Sequence, residues 1–272
     1  MSLTPSGPSL PPDLWSTFAQ LARQRLILAE PRLHERRHIS CGGSGTVGFR
    51  SWQELARSIQ EFDVRWPSEE PDLRALVARA QNTVPELERR PSCAVVGNSG
   101  RLLQHEHGAE IDKRDLVIRF NWGKTDGYEK HVGTKSHVRI YNGPYVSQKQ
   151  PGEITLAEIR DPALREWVRK RNREEAEHAF AFDPEFLCHV WDWVGRSGEK
   201  PSTGLVGVVL ALNICASVDV FGFHYEDYFD PNIQPHYYDW ERPKVGREKA
   251  HPFEREYQLY QQLESARMLQ MH

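Results

Sequence analysis

The chain has 272 residues, enough for one large domain with a substantial apolar core. With 39% hydrophobic residues and eight tryptophans, the composition is that of a globular protein rather than a disordered one. The formal net charge of -3 provides no broad basic surface, which argues against nucleic acid or an anionic membrane as the principal partner. Any bound anion must therefore be held by a local group of residues.

The amino-terminal part is predicted to be a disordered, proline-rich arm over residues 1–12, followed by a single domain over residues 13–272. Residues 13–29, 52–62 and 71–90 have helical spacing, and the stretch CGGSGTVGFRSW between the first two is predicted to be a loop. No apolar run resembling a signal sequence or a membrane anchor occurs near the amino terminus.

From Cys93 onward the pattern is α/β. The apolar runs CAVVG and DLVIRFN are predicted strands that follow one another across a glycine turn. The segment 145–200 is rich in charge and tryptophan, and we expect it to form an insertion over the core. Ser202 and Thr203 are N-cap residues for a helix that feeds the strand VDVFGF. This order predicts parallel strands with a ligand crevice at their carboxyl ends.

The turn GNSG after the first of these strands is the first candidate ligand site. Its two glycines allow close backbone approach, while Asn98 and Ser99 offer short polar side chains suited to a phosphate or a ribose. The same pattern also occurs in α/β proteins that bind no nucleotide at this turn. Arg119 and Asn121 end the next strand, where either a ligand or a structural hydrogen bond to a neighbouring loop explains them.

Two further candidates lie at predicted helix starts. Ser202, Thr203 and Gly204 would present hydroxyls and backbone N–H groups to an anion, although simple N-capping explains the same residues. His251 precedes a proline at a predicted helix start, where the positive helix end favours a neutral imidazole that can act as a base. A capping or surface role fits His251 as well, and His236 among aromatic residues also fits a core histidine.

The sequence predicts no metal site. His105 and His107 alternate in the stretch HEH, but without a third ligand nearby they are predicted to be surface residues. No D-x-D, the usual aspartate pair for a metal on a sugar-nucleotide pyrophosphate, occurs in the chain. The four cysteines form no C-x-x-C pair and allow three pairings, so their spacing leaves the formation of a disulfide open.

Four stretches of the chain resemble, in order, the four sialyl motifs of the eukaryotic sialyltransferases, glycosyltransferase family 29. Residues 93–141 resemble the large motif and 201–223 the small motif; HYYD at 236–239 resembles the third motif, and H-x-x-x-x-E at 251–256 the very small motif. The resemblance implies a variant Rossmann-like glycosyltransferase fold of the type A kind. This is an α/β domain with a mostly parallel central sheet flanked by helices.

The resemblance also implies an activity, namely inverting, metal-independent transfer of sialic acid from CMP-sialic acid to a glycan hydroxyl, with no cofactor. The acceptor would be a glycan on a glycoprotein or glycolipid. His251 matches the catalytic base of the family, and His236 matches the histidine near the donor phosphate. When Ser99 of the GNSG turn is added to the residues that match the family, the expected donor-binding residues are Asn98, Ser99, Asn121, Ser202, Thr203, Gly204 and Phe223. Phe223 is expected near the cytidine.

Three further expectations follow from the resemblance. It implies a disulfide between Cys93 and Cys215 and leaves a pairing of Cys41 with Cys188 open. It implies a location in the Golgi lumen, with a soluble cytoplasmic location as the alternative because the chain shows no anchor.

The carboxyl-terminal part is also similar to plant and algal relatives, some of which use CMP-Kdo. A CMP-Kdo-dependent transferase and a non-catalytic relative that binds CMP or glycan are therefore the alternative functions.

Overall fold

The computed structural model describes residues 27–28, 38–40, 46–49, 89–143, 150, 152–158, 179–182, 184–226, 230–241 and 247–272. The predicted arm and most of the predicted amino-terminal helices lie outside these ranges. Ile27–Leu28 is a strand, so the helix predicted to extend to residue 29 is wrong at its end. Thr46–Phe49 is a strand as well, although the sequence there predicts a loop.

The described residues form two sheets and a set of helices. The strands are β1 (Ile27–Leu28), β2 (His38–Ser40), β3 (Thr46–Phe49), β4 (Arg90–Val96), β5 (Leu116–Phe120), β6 (Val138–Tyr141), β7 (Ile154–Ala157), β8 (Ala179–Phe182), β9 (Cys215–Phe221) and β10 (Gln270–Met271). The helices are α1 (Gly108–Ile111), α2 (Glu129–Val132), α3 (Pro184–Asp192), α4 (Thr203–Ile214), α5 (Arg247–Ala250) and α6 (Phe253–Ser265), with a 3-10 helix at Gly100–Gln104.

The central sheet has the strand order β1-β8-β7-β6-β5-β4-β9-β10, and all its neighbouring pairs are parallel except β1 with β8. Strands β2 and β3 form a separate antiparallel pair. The chain runs from β4 outward to β8 and then returns to the other side of β4 as β9. This reversal of strand order is where open α/β sheets bind ligands. The predicted α/β fold with a mostly parallel sheet is confirmed.

Helix α4 covers the centre of the sheet. Every residue of α4 except Gly204 is buried, because the helix lies between the sheet and helix α3. The helix approaches the sheet closely, since a Cβ added at Gly207 would lie 2.4 Å from the ring of Phe120. This packing fixes where α4 begins and therefore places Ser202, its N-cap, at the carboxyl edge of the sheet.

The prediction of an insertion over residues 145–200 is wrong. This segment contributes strands β7 and β8 to the central sheet and helix α3 to its face, with Trp191 and Trp193 in the core. Each of the two strands has four residues and so gives little alternation to detect. The charged residues around the two strands hide their short apolar pattern in the sequence.

The predicted disulfide between Cys93 in β4 and Cys215 in β9 is confirmed, with the two Cα atoms 5.9 Å apart. Both cysteines are buried in the core. Cys188 is also disulfide-bonded, whereas Cys41, whose pairing the sequence leaves open, lies outside the described ranges. Among the helices described, none has the length and apolar character to span a bilayer.

Candidate active site

A cavity of about 200 Å³ opens at the carboxyl ends of β4, β5, β6 and β9. The structure brings every residue of the predicted site to this cavity, from six separate parts of the chain. The predicted residues that line it are Asn98, Ser99, Asn121, Ser202, Thr203, Gly204, Phe223, His236 and His251. The roles assigned to them remain predictions.

The turn after β4 is held tightly against the end of β9. The N–H of Gly97 donates to the carbonyl of Phe221, and a Cβ added at Gly97 would lie 2.6 Å from the carbonyl oxygen of Gly222. The side-chain amide of Asn98 donates to the Phe120 carbonyl at 3.3 Å and to the Tyr238 hydroxyl at 3.4 Å. The turn is thereby fixed to β5 and to the third-motif segment before any ligand arrives.

Two asparagines extend the cavity along the sheet edge. Asn121 follows β5 with φ of 45°, a left-handed conformation that asparagine tolerates better than most residues. Its Oδ1 accepts from the N–H of Asn142, whose side-chain amide donates to Thr203 Oγ1 at 2.8 Å. Asn142 is not among the predicted site residues, although it follows the apolar strand VRIY as Asn121 follows LVIRF.

Arg119 has a structural role instead. Its side chain is buried, and it donates to the carbonyls of Lys135 at 2.9 Å and Val132 at 2.6 Å. Arg119 is not among the residues that line the cavity. Of the two explanations that the sequence allows for this arginine, a structural hydrogen bond is therefore the one observed.

Helix α4 directs its amino-terminal end at the cavity. Ser202 is the N-cap, and its hydroxyl accepts from the N–H of Leu205 at 3.1 Å. The first N–H groups of a helix have no partner within it, so those of Thr203 and Gly204 are available to an anion. The absence of a side chain at Gly204 also permits Phe223 to lie over the helix start. A Cβ added at Gly204 would lie 2.7 Å from the ring of Phe223, which is too close.

Glu256 is a buried carboxylate that is not among the predicted site residues. It accepts hydrogen bonds from the N–H of Ser202 at 2.8 Å and from the Ser202 hydroxyl. Burial raises the pKa of Glu256 to about 7, even though the two hydrogen bonds from Ser202 lower it. Its place in the H-x-x-x-x-E stretch was the signal that could have identified it.

His251 lies two residues before helix α6, whose N-cap is Pro252, so the helix begins one residue later than the sequence predicts. The imidazole is buried, and its Nδ1 lies 3.4 Å from the Lys200 carbonyl oxygen. A proton on Nδ1 can be donated to that carbonyl, which leaves Nε2 with the lone pair. This is the tautomer that a base at this position needs.

His236 approaches the cavity from the third-motif segment. Its ring stacks on Tyr238 with centroids 5.3 Å apart, and its Nδ1 lies 3.2 Å from a carboxylate oxygen of Asp239. The side chain is one-third exposed, so the alternative explanation of His236 as a core histidine does not describe it. A histidine so placed can donate a hydrogen bond to an anion when its ring is protonated.

The family model that describes glycosyltransferase family 29 (sialyltransferase) matches residues 51–163 and 157–268. The CMP-N-acetylneuraminate-beta-galactosamide-alpha-2,3-sialyltransferase 1 of Gallus gallus is 32% identical over 164 residues, which is 52% of this chain and 48% of that protein. Beta-galactoside alpha-2,6-sialyltransferase 2 of Bos taurus is 29% identical over 50% of this chain and 33% of its own length. The chain thus spans about half the length, or less, of these curated relatives.

The fold matches solved structures as well. The crystal structure of a mammalian sialyltransferase in complex with Gal-beta-1-3GalNAc-ortho-nitrophenol superposes with a TM-score of 0.60 and 20% identity. The match covers 90% of this chain and 97% of that one, so the likeness extends over nearly the whole fold. Since the family model matches most of the chain in two overlapping segments, the chain belongs to glycosyltransferase family 29, the sialyltransferases.

Proposed function

We propose that this chain is an enzyme that transfers sialic acid from CMP-sialic acid to a hydroxyl of a glycan acceptor, with inversion and without a metal. The observation that carries the proposal is the convergence of His251, His236 and the start of α4 on one cavity. The residues proposed as the base and as the anion site thus lie around the same space. The relatives named above support the substrate class by their names.

The donor phosphate is proposed to bind at the start of α4. Backbone N–H groups at a helix N-terminus and the helix dipole stabilise a negative charge there. Asn98 and Asn121 would hold the ribose and phosphate from the neighbouring strand ends, and Phe223 would contact the cytidine. His236 would donate a hydrogen bond to the phosphate as its charge increases on departure.

His251 is proposed as the general base. The acceptor oxygen attacks the anomeric carbon as the bond from that carbon to the CMP phosphate oxygen breaks. The electron pair of that bond leaves with CMP, and the proton of the acceptor hydroxyl passes to His251 Nε2. Attack on the face opposite the leaving group gives inversion, and the cavity supplies the alignment of the two reactants.

The ligand set of the cavity supports metal independence. Glu256 is the one carboxylate among the described residues that line it, and both its oxygens are engaged by Ser202. Hard divalent cations such as Mg²⁺ are usually held by free carboxylates together with substrate phosphates. A CMP donor has one phosphate, whose charge a helix start and a histidine can stabilise.

Two wider proposals go with this function. We propose a single catalytic domain over residues 13–272, and a location in the secretory pathway. The disulfide between Cys93 and Cys215 supports that location, because such bonds persist in oxidising compartments. CMP-sialic acid and CMP-Kdo have the same leaving group, CMP. The residues proposed to bind CMP therefore do not distinguish the two donors, and an experiment must do so.

Calorimetric titration of the oxidised protein with CMP, first in EDTA and then with magnesium, tests the donor site. We expect saturable binding with the same affinity in both buffers. Transfer assays with CMP-sialic acid and CMP-Kdo then identify the sugar. Absence of CMP binding to folded protein would overturn the proposal, and binding that requires magnesium would overturn its metal independence.

A further inference from the structure

Three side chains from two distant parts of the sequence meet outside the cavity. They are His107, which directly precedes α1, Glu110 within α1, and His272, which follows β10. The Nδ1 atom of His107 lies 3.7 Å from Glu110 Oε2, and the Nδ1 atom of His272 lies 3.8 Å from the same oxygen. All three ligand atoms lie within 4.8 Å of one another. Of the two histidines in the HEH stretch, only His107 belongs to this group, and Glu110 and His272 complete it.

We propose that His107, Glu110 and His272 form a binding site for Zn²⁺ or a divalent transition-metal ion with the same ligand preference. Two imidazoles and one carboxylate are a set that Zn²⁺ accepts, whereas Ca²⁺ and Mg²⁺ require oxygen ligands. Three protein ligands leave a fourth coordination position for water. Ligand atoms of a tetrahedral zinc site lie about 3.3 Å apart. The two histidine–Glu110 separations therefore need to shorten by about 0.5 Å, and the separation of the two imidazole ligand atoms, which is within 4.8 Å, by at most about 1.5 Å.

The orientation of His272 is fixed from outside the cluster. Its Nε2 lies 2.9 Å from Asp219 Oδ1, and the other oxygen of Asp219 accepts from Arg114 Nε at 2.7 Å. A proton on His272 Nε2 can be donated to Asp219, which leaves Nδ1 with its lone pair for a metal. A carboxylate behind a ligating histidine is the usual support in zinc sites.

The second imidazole is also held in place by its neighbours. Phe221 positions both rings, because His272 stacks on it at 4.4 Å and His107 contacts its edge at 5.3 Å. The two imidazoles are therefore placed before an ion arrives.

The cluster remains open to solvent. The side chains of His107, Glu110 and His272 are exposed by 18%, 40% and 11%, so an ion can enter without unfolding. None of the three lines the cavity described above. The site is therefore distinct from the proposed donor site, and this inference does not depend on the transfer reaction. A bound ion would connect β10 at the sheet edge to the segment before α1.

The test is titration of the full chain, stripped of metal and free of any histidine tag, with zinc chloride by calorimetry. The visible absorption of bound Co²⁺ gives an independent readout of the coordination number. We expect one Zn²⁺ per chain. His107→Gln, Glu110→Gln and His272→Gln should each weaken binding by about tenfold or more. His105→Gln is the matched control, an exposed histidine of the same HEH stretch whose ring centroid lies 5.2 Å from that of His107, and it should change the affinity much less than the three ligand variants do.

A fourth variant tests Asp219, which holds His272 in place without binding the ion itself. Asp219→Asn should weaken Zn²⁺ binding by about 10- to 100-fold, with circular dichroism confirming that it remains folded. Failure of the wild type to bind Zn²⁺ would overturn the proposal. Binding that survives in all three ligand variants would overturn it too, because the ion would then occupy other histidines. CMP titration of the same variants should show unchanged CMP affinity, which separates this test from that of the donor site.

Discussion

The carboxylate of Glu256 accepts hydrogen bonds from both the backbone N–H and the hydroxyl of Ser202, at 2.8 Å for the N–H. Ser202 is the N-cap of α4 and Glu256 lies in the first turn of α6, so this contact joins two helix starts at the cavity. Because burial raises the pKa of Glu256 to about 7, the contact exists in two forms near neutral pH. When Glu256 is protonated, it donates to Ser202 Oγ, and the serine hydroxyl hydrogen becomes available to a ligand.

Glu256→Gln should change how stability depends on pH. Since the folded pKa of Glu256 lies above its ordinary value of 4.5, the folded state keeps a proton that the unfolded state releases between about pH 4.5 and 7. Wild-type stability should therefore fall as the pH rises through this window. Glutamine mimics the protonated acid, so its stability relative to the wild type should rise by about 2 to 3 kcal/mol from pH 5 to pH 8.

The matched control for this variant is Glu254→Gln, which changes an exposed carboxylate in the same turn of α6. Urea unfolding at pH 5 and pH 8 measures both variants against the wild type. The free energy of unfolding of the control should differ from that of the wild type by the same amount at pH 5 and pH 8. If Glu256→Gln also gave a constant difference, the raised pKa of Glu256 would be contradicted.

His251→Ala should lower turnover by about two to four orders of magnitude while leaving CMP affinity largely intact. The reason is that a general base acts on the acceptor hydroxyl rather than on the nucleotide. His105→Ala, an exposed histidine away from the cavity, serves as the comparison. Steady-state transfer kinetics and CMP titration give the two quantities separately. Near-normal turnover would exclude His251 as the base.

Gly204→Ala should displace Phe223 from the start of α4. The added Cβ would lie 2.7 Å from the ring of Phe223 and 3.3 Å from Ser202 Oγ. We expect a loss of about 1 to 3 kcal/mol in the free energy of unfolding, as for other overpacked sites, together with weaker CMP binding. The double variant Gly204→Ala, Phe223→Leu should regain stability without regaining affinity. CMP affinity that is unchanged in the single variant would show that Phe223 does not contact the nucleotide.

Asn142→Ala should weaken CMP binding by about 3- to 10-fold, because Thr203 Oγ1 loses the amide donor that orients it at 2.8 Å. Gln150→Ala removes a similar bond, from an amide to Thr125 Oγ1 at 2.7 Å, outside the cavity. This second variant should therefore affect stability alone. Equal CMP affinities in the two variants would mean that Thr203 needs no orientation by Asn142.

The sequence was most informative where local chemistry determines structure. Ser202 and Thr203 are both predicted as N-cap residues of a helix rich in small apolar side chains, and Ser202 is the N-cap of the helix, which begins at Thr203. The apolar run DLVIRFN contains β5, and the runs CAVVG and VDVFGF overlap the carboxyl-terminal parts of β4 and β9. The polar residues that follow such strands come together at one sheet edge because parallel strands share their carboxyl ends.

Features that depend on tertiary contacts were beyond the sequence. Strands β7 and β8 are held by their neighbours in the sheet, and four residues are too few to show a period against a charged background. The contact between Glu256 and Ser202 joins residues 54 positions apart. His107 and His272 meet because β10 pairs with β9, a contact between positions that no local pattern relates.

The most direct test of the central claim is the rate of sialic acid transfer from CMP-sialic acid to a galactose-terminated acceptor in EDTA, for the wild type and for His251→Ala. We expect turnover by the wild type that magnesium does not increase, with inversion at the anomeric carbon, and a loss of at least about 100-fold in the variant. Folded, CMP-binding protein that transfers neither sialic acid nor Kdo to any acceptor in a panel would contradict the account. It would then be a binding protein with the fold of a transferase.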